Sequence, residues 1–236
     1  MIGTILAMGG GGFSMSDDGT SAIDDYLLDL TGTARPRVCF VPTASGDADG
    51  YSQRFEAAFA GRAETSVLSL FCHQPWGYSD PKMLLEQDVV YVGGGSTANL
   101  LAVWLRHDLS HLLREAAANG TVLAGISAGM NCWFESSSTD SFGPLAPLAD
   151  GLGFVRGSAC PHYLGEPGRR EKYLGWVGSG ALDDGYAVDD FAAILLREGA
   201  LVEAVAERPG RPVYRVERHG EAAVEVEVPV RTLTVR

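Results

Sequence analysis

Residues 122–134 read Val-Leu-Ala-Gly-Ile-Ser-Ala-Gly-Met-Asn-Cys-Trp-Phe, and few local sequences leave a chain so little choice of fold. An apolar run of β-formers ends in Gly125-Ile126-Ser127-Ala128-Gly129, the pattern Gly-x-Ser-x-Gly. Glycines two residues either side of a serine let a strand and the helix after it crowd together without Cβ clashes. The serine is then forced onto a tight strand-to-helix turn above a sheet edge. Its hydroxyl projects into solvent, and the backbone N–H of Ala128 points where an oxyanion would form. This combination proposes acyl transfer through a serine ester, a reaction that needs a base and an orienting acid from elsewhere in the chain.

The rest of the chain supplies a sheet for that turn. Ile5–Met8 reads as a strand ending in Gly9-Gly10-Gly11-Gly12, Arg37–Val41 as a second buried strand before Pro42, Ser66–Phe71 as a third, Val89–Val92 as a fourth ending in Gly93-Gly94-Gly95. Between them, Asp24–Leu30, Tyr51–Arg62, Thr97–Leu105 and Leu109–Ala118 carry helical patterns; Phe55, Ala58 and Phe59 share one face. Asp80 and Pro81 start a short helix. Alternating strands and helices predict a mainly parallel sheet with helices on both faces. After residue 190 the pattern turns β-rich, over Phe191–Leu196, Leu201–Ala206, Val213–Val216 and Ala223–Val235. This predicts an antiparallel extension or hairpin within one domain spanning 1–236.

With 46% hydrophobic and 20% charged residues, the 236-residue chain has the composition of a globular protein with a full core. No apolar run reaches the ~18 residues of a membrane span. The first eight residues lack a basic n-region and read as a strand starting at Met1, so the expected compartment is the cytoplasm. Thirty acidic against eighteen basic residues give a net charge of −12, which argues against nucleic acid or a membrane as partner. Cys39, Cys72, Cys132 and Cys160 form no CxxC pair and fit no zinc spacing. The Gly9–Gly12 run fails the G-x-G-x-x-G dinucleotide pattern, since Ser14 or Met15 falls at the last position.

Five histidines compete for the role of base. His107 and His111 suit a solvated helix end, His219 a turn, and His73 follows the third strand. His162, in Ala159-Cys160-Pro161-His162-Tyr163, has its backbone fixed by the preceding proline. It is either the base or an ordinary core or surface histidine. The glycines of Val92–Thr97 let backbone N–H groups approach a ligand at a strand-to-helix junction, as a second oxyanion donor or as a phosphate loop.

Gly93-Gly94-Gly95-Ser96-Thr97, Gly125-Ile126-Ser127-Ala128-Gly129-Met130-Asn131 and Cys160-Pro161-His162-Tyr163 together resemble peptidase family S51, the dipeptidase E (aspartyl dipeptidase) and cyanophycinase family of serine peptidases. The likeness runs from the first strand to about residue 198. It implies a class I glutamine-amidotransferase-like α/β three-layer sandwich, with the β-rich extension beginning at about residue 199. It implies Ser127 as nucleophile, His162 as general base, the N–H groups of Gly95 and Ala128 as oxyanion hole, and no metal or organic cofactor. The third member is an acid at a later strand end. The matching stretch, Gly185–Phe191, offers Asp190, with Asp189 as the alternative. Asp140 matches a second functional acid of the family; it positions substrate or is an Asx-turn residue. Glu135 is placed on the pocket wall.

Two departures from the family pattern bear on substrate. Dipeptidase E carries Gly-Gly-Asn-Thr, its asparagine holding the substrate N-terminus, where this chain has Ser96. Dipeptidase E also uses an arginine after the histidine to bind a substrate aspartate; Arg169 and Arg170 lie in that region, either as carboxylate clamp or in a solvated helix start. The resemblance therefore implies a monomeric or homodimeric serine peptidase of the dipeptidase E type that hydrolyses small peptides, with N-terminal aspartate as candidate specificity. The alternatives are a cyanophycinase-like or broader exopeptidase, an esterase or acyltransferase, and a non-catalytic binding protein. A cysteine-dependent glutaminase would need its nucleophile at residue 127; Cys132 is five residues on, expected along the following helix.

Overall fold

The computed structural model describes residues 3–71 and 77–235; the expectations for Met1, Ile2, Cys72 and His73 lie outside them. Strands β1 (Thr4–Met8), β2 (Arg37–Val41), β3 (Glu64–Val67), β4 (Val89–Val92) and β5 (Val122–Ile126) form the parallel part of the larger sheet. Strands β6 (Phe134–Thr139), β7 (Ala146–Leu148), β8 (Val155–Cys160) and β9 (Gly185–Val188) belong to a second sheet. Of the remaining strands, β10 (Ala192–Arg197), β11 (Ala200–Ala206) and β14 (Val230–Thr232) return to the first sheet, while β12 (Val213–His219) and β13 (Ala222–Val228) extend the second. The orders are β14-β11-β10-β1-β5-β4-β2-β3 and β13-β12-β9-β8-β6-β7. In the larger sheet β10 runs antiparallel to both neighbours, β1 and β11. In the smaller sheet β6, β8 and β9 are parallel.

Period-2 alternation in β1 divides the core. Leu6 and Met8 face α1 (Ala22–Asp29) and α2 (Asp49–Phe59), joining Phe13, Phe40, Phe55, Phe59 and Tyr91 in an aromatic cluster. Phe40 and Phe55 stack with ring centroids 4.8 Å apart. Ile5 and Ala7 face the other way, toward α3 (Thr97–Arg106), α4 (Leu109–Ala118) and the inner side of the second sheet, with Trp104, Trp133 and Phe154 filling the space between. The elbow is followed by a single turn, α5 (Ala128–Asn131), and α6 (Arg169–Ser179) covers the outer side of the second sheet through Tyr173 and Val177.

The second sheet is the main departure from the single mainly parallel sheet expected above. Its strand β6, Phe-Glu-Ser-Ser-Ser-Thr, has neither the apolar run nor the alternation that marks a strand in sequence, yet Ser136, Ser137, Ser138 and Thr139 are buried. The β-rich C-terminal region does not form a layer of its own but is shared between both sheets. The third strand ends at Val67 instead of Phe71, because the buried Asp47 carboxylate captures the Leu70 and Phe71 N–H groups at 2.5 and 2.9 Å and draws the chain out of the sheet. The elbow helix stops at Asn131, so Cys132 caps it and does not lie along it.

One carboxylate sits inside the aromatic cluster. Asp24 is fully buried, accepts the Phe13 N–H at 2.6 Å with Oδ2, and leaves Oδ1 without a hydrogen bond among the described residues. Burial pushes its pKa up to about 7, opposed by the Phe13 N–H and reinforced by the charge of Glu207. An acid whose folded pKa is raised stabilises the fold fully below its unfolded value and loses that stability as pH rises toward the folded value. Between about pH 4 and 7 the wild type is therefore expected to lose a few kcal/mol relative to Asp24→Asn, because each tenfold change in proton affinity is worth ~1.4 kcal/mol. Urea unfolding of both proteins across this range checks it; a gap independent of pH contradicts the assignment.

Candidate active site

The carboxyl ends of parallel strands from both sheets meet at one edge, where ligands bind in open α/β sheets. Ser127 follows β5, His162 follows β8 and Asp190 follows β9. The turn after β1 holds the three together. The Met8 carbonyl accepts the Ser127 N–H at 3.0 Å, the Gly9 carbonyl the His162 N–H at 3.2 Å, and the Gly10 carbonyl the N–H of Phe191 at 2.9 Å, next to Asp190. Three successive carbonyls thus index three residues far apart in sequence.

Close backbone approach explains the glycines of the elbow. A Cβ on Gly125 would come 2.1 Å from the Gly129 carbonyl oxygen, and one on Gly129 would come 2.3 Å from that of Val92. Ser127 itself has φ 57° and ψ −110°. His162 (φ 51°) and Phe191 (φ 63°) also have positive φ. Each such residue costs of order 1–3 kcal/mol and persists where the surroundings over-determine it.

His162 Nδ1 lies 2.6 Å from Asp190 Oδ1, with the two side chains only 18% and 15% exposed. The carboxylate accepts the Nδ1–H, which fixes the tautomer and leaves Nε2 as the free acceptor. The pair is packed tightly: a Cβ on Gly10 would come 2.2 Å from Asp190 Oδ1 and 3.0 Å from His162 Nδ1, and one on Gly165 would come 2.0 Å from Asp190 Oδ2. Asp189 points elsewhere. Buried, it accepts the Leu164 N–H at 2.9 Å and pairs with Arg211 at 3.2 Å. Among the described residues Ser127 Oγ donates no hydrogen bond to His162; such contacts commonly tighten only when substrate binds.

The Gly93–Gly95 turn faces the serine, since a Cβ on Gly94 would lie 3.4 Å from that of Ser127. Gly93 donates to the Val41 carbonyl and Gly94 to the Tyr51 hydroxyl, at 3.1 and 3.3 Å. The N–H groups of Gly95 and Ala128 donate to no protein atom among the described residues. Ala128 opens a helix, where first-turn N–H groups have no intrahelical acceptor. The two donors are therefore available to an oxyanion.

The remaining candidates separate by environment. Ser96 caps α3, its Oγ accepting the Asn99 N–H at 3.2 Å. Asp140 is exposed at the end of β6, between Thr139 and Ser141, whose hydroxyls bind each other, and Ser141 Oγ takes the Ala98 N–H at 3.2 Å. Asp140 thus lies at the rim beside the start of α3. Arg169 is 3% exposed; its guanidinium meets Glu166 and lies 3.4 Å from Ser138 Oγ, which places it inside the ring formed by β6, β8 and the His162 loop. Arg170, one residue on, turns outward to pair with Glu225. Glu135 sits at the opposite end of β6, accepting the Gly157 N–H at 2.7 Å, and not on the wall of this site. Cys132 is fully buried, and burial holds its thiol well above the ordinary range, so it offers no thiolate.

Sequence reasoning misses the part played by Gly9 and Gly10. Four glycines ending the first strand are a visible signal, but the dinucleotide pattern they suggest is the wrong one. Asp24 and Glu207, which hold the next part of that turn, carry no motif.

The model of peptidase family S51 matches residues 5–204. An uncharacterized peptidase, YgaJ, of Bacillus subtilis (strain 168) is 47% identical over 230 residues, covering 97% of this chain and 98% of its own. A peptidase E of Streptomyces coelicolor is 31% identical over 218 residues, 89% of this chain and 87% of its own. Among solved structures, a peptidase from an acI-B1 Actinobacterium superposes with a TM-score of 0.71 at 18% identity, covering 98% of this chain and 95% of that one. A putative peptidase E of Listeria monocytogenes EGD-e gives 0.61 at 20% identity, covering 85% and 96%. Both structural likenesses show the shared fold.

Proposed function

This chain belongs to peptidase family S51, and we propose that it is a serine peptidase of the dipeptidase E type, hydrolysing small peptides through an acyl-enzyme on Ser127. The observation that carries this reading is the convergence at the end of β1 of an elbow serine with a hydrogen-bonded His162–Asp190 pair. His162 Nε2 takes the Ser127 proton as Oγ attacks the scissile carbonyl, and the Gly95 and Ala128 N–H groups receive the oxyanion. The imidazolium, held by Asp190, protonates the leaving amine. Water activated by the same histidine then attacks the ester and frees Ser127. Hydrolysis of a panel of dipeptides, Asp-x beside Glu-, Asn-, Ala- and Leu-x, tests the reading. Cleavage of aryl esters but of no peptide favours an esterase instead.

The environment of Arg169 bears on the choice of substrate. Its buried guanidinium, 3.4 Å from Ser138 Oγ, is the candidate clamp for an N-terminal aspartate, but Glu166, itself 46% exposed, already occupies it. A substrate carboxylate has to displace Glu166. Glu166→Gln, which keeps the shape and removes the competing charge, is expected to raise kcat/KM for Asp-x about 2–5-fold relative to Ala-x, the scale of one partly exposed ion pair. An unchanged Asp-x to Ala-x ratio would remove Arg169 from the specificity pocket.

A further inference from the structure

The turn that indexes Ser127, His162 and Asp190 does not hold itself. It runs on through Gly11 and Gly12, at φ 113° and 58°, backbone without side chains to pack. Met15 Sδ takes the Gly11 N–H at 3.0 Å, and two carboxylates outside the site take the two N–H groups after it. Glu207 Oε1 accepts from Gly12 at 3.2 Å, and Asp24 Oδ2 accepts from Phe13 at 2.6 Å. Glu207 is fixed in turn: its Oε2 accepts the Ser21 hydroxyl at 2.6 Å, and its own N–H donates to the Phe191 carbonyl at 2.9 Å. Ser21 also caps α1, the helix that carries Asp24, by accepting the Asp24 N–H at 3.2 Å. Tyr91 closes the other side; a Cβ on Gly12 would come 2.6 Å from its hydroxyl and 3.1 Å from Asp24 Oδ1. The chain thus keeps two acids, one fully buried among aromatic rings, on a stretch of glycine backbone where solvation alone gives them no reason to be.

We propose that Asp24 and Glu207 are positioning residues: by gripping the Gly12 and Phe13 N–H groups they hold the Met8, Gly9 and Gly10 carbonyls in register, and so hold His162 and Asp190 to Ser127. The proposal rests on the hydrolytic reading above, and neither acid touches substrate. Its consequence is that loosening the grip moves the reacting groups without altering the groups that bind substrate. A misplacement of ~1 Å costs on the order of 10²-fold in rate.

The test compares Asp24→Ala, Asp24→Asn and Glu207→Ala with wild type, using steady-state dipeptide hydrolysis, circular dichroism and the low-field proton resonance of His162 Nδ1. Asp24→Ala and Glu207→Ala are expected to lower kcat by about 10- to 100-fold with KM within ~3-fold, and to shift or broaden the Nδ1 resonance. Asp24→Asn, whose carbonyl oxygen still accepts the Phe13 N–H, is expected to restore kcat to within ~3-fold of wild type. A folded alanine variant with wild-type kcat and an unmoved resonance overturns the proposal, as does an asparagine variant as impaired as alanine. Should Asp24→Ala fail to fold, Glu207→Ala decides on the same two readouts. The resonance needs no turnover, so a wild type inactive on every peptide refutes the peptidase reading while the positions of His162 and Asp190 in the variants still judge the grip.

Discussion

Ser127→Ala is expected to remove peptide hydrolysis altogether, a loss of roughly 10⁶ in kcat if this elbow serine behaves like other triad nucleophiles. Alanine keeps the backbone geometry at φ 57°, and the Ser127 hydroxyl caps no helix N–H that the fold would miss. The melting temperature should therefore stay within ~2 °C, the range of substitutions that touch no packing. The Met8 carbonyl still receives the residue 127 N–H, and the Gly95 and Ala128 donors remain in place. A small residual rate, about 10³-fold over water, would come from those donors and from binding alone. The measurement is initial rates on whichever dipeptide the wild type cleaves, with fluorophosphonate labelling and a thermal melt alongside. Activity above about one hundredth of wild type, in a protein that melts normally, would rule out the serine mechanism.

Much of this is legible in the sequence, for physical reasons that differ by element. Strands β1, β2, β4 and β5 are buried on both faces and so read as continuous apolar runs. The amphipathic helices α3 and α4 keep their period. Strand β6 is invisible because its burial beyond Phe134 is made of serines and a threonine; Ser138 and Thr139 pack against Thr97, Asn131 and Arg169, where their polar groups find partners and apolar side chains would not. Within the site, Ser127 and His162 carry local motifs. The clamp candidates Arg169 and Arg170 do not separate in sequence, yet ~100° of helical rotation turns one inward to Ser138 and the other outward to Glu225. The Gly9–Gly10 turn is legible only in three dimensions, since it offers carbonyls to residues more than a hundred positions away.

Asp190→Asn is the second large loss expected, about 10⁴ in kcat with KM little changed. Asp190 accepts the Nδ1–H of His162 at 2.6 Å, and an amide cannot serve both imidazole tautomers in that way. If its NH2 group faces Nδ1, the ring proton moves to Nε2 and the base is lost. If its oxygen does, the tautomer survives but the imidazolium formed in the transition state has no counter-charge. The space for adjustment is small, because Gly10 and Gly165 press on the carboxylate from two sides. Adjacent residues at a strand end point in opposite directions, and this makes Asp189 the natural control. Its carboxylate holds the Leu164 N–H and Arg211, so Asp189→Asn is expected to cost stability, on the order of 1–3 kcal/mol, and less than ~10-fold in kcat. The two variants measured side by side, each for kcat and for unfolding in urea, should therefore exchange their effects: chemistry lost at 190, stability lost at 189. A larger fall in kcat at 189 than at 190 would mean that the hydrogen bond to His162 is not the one that matters for catalysis.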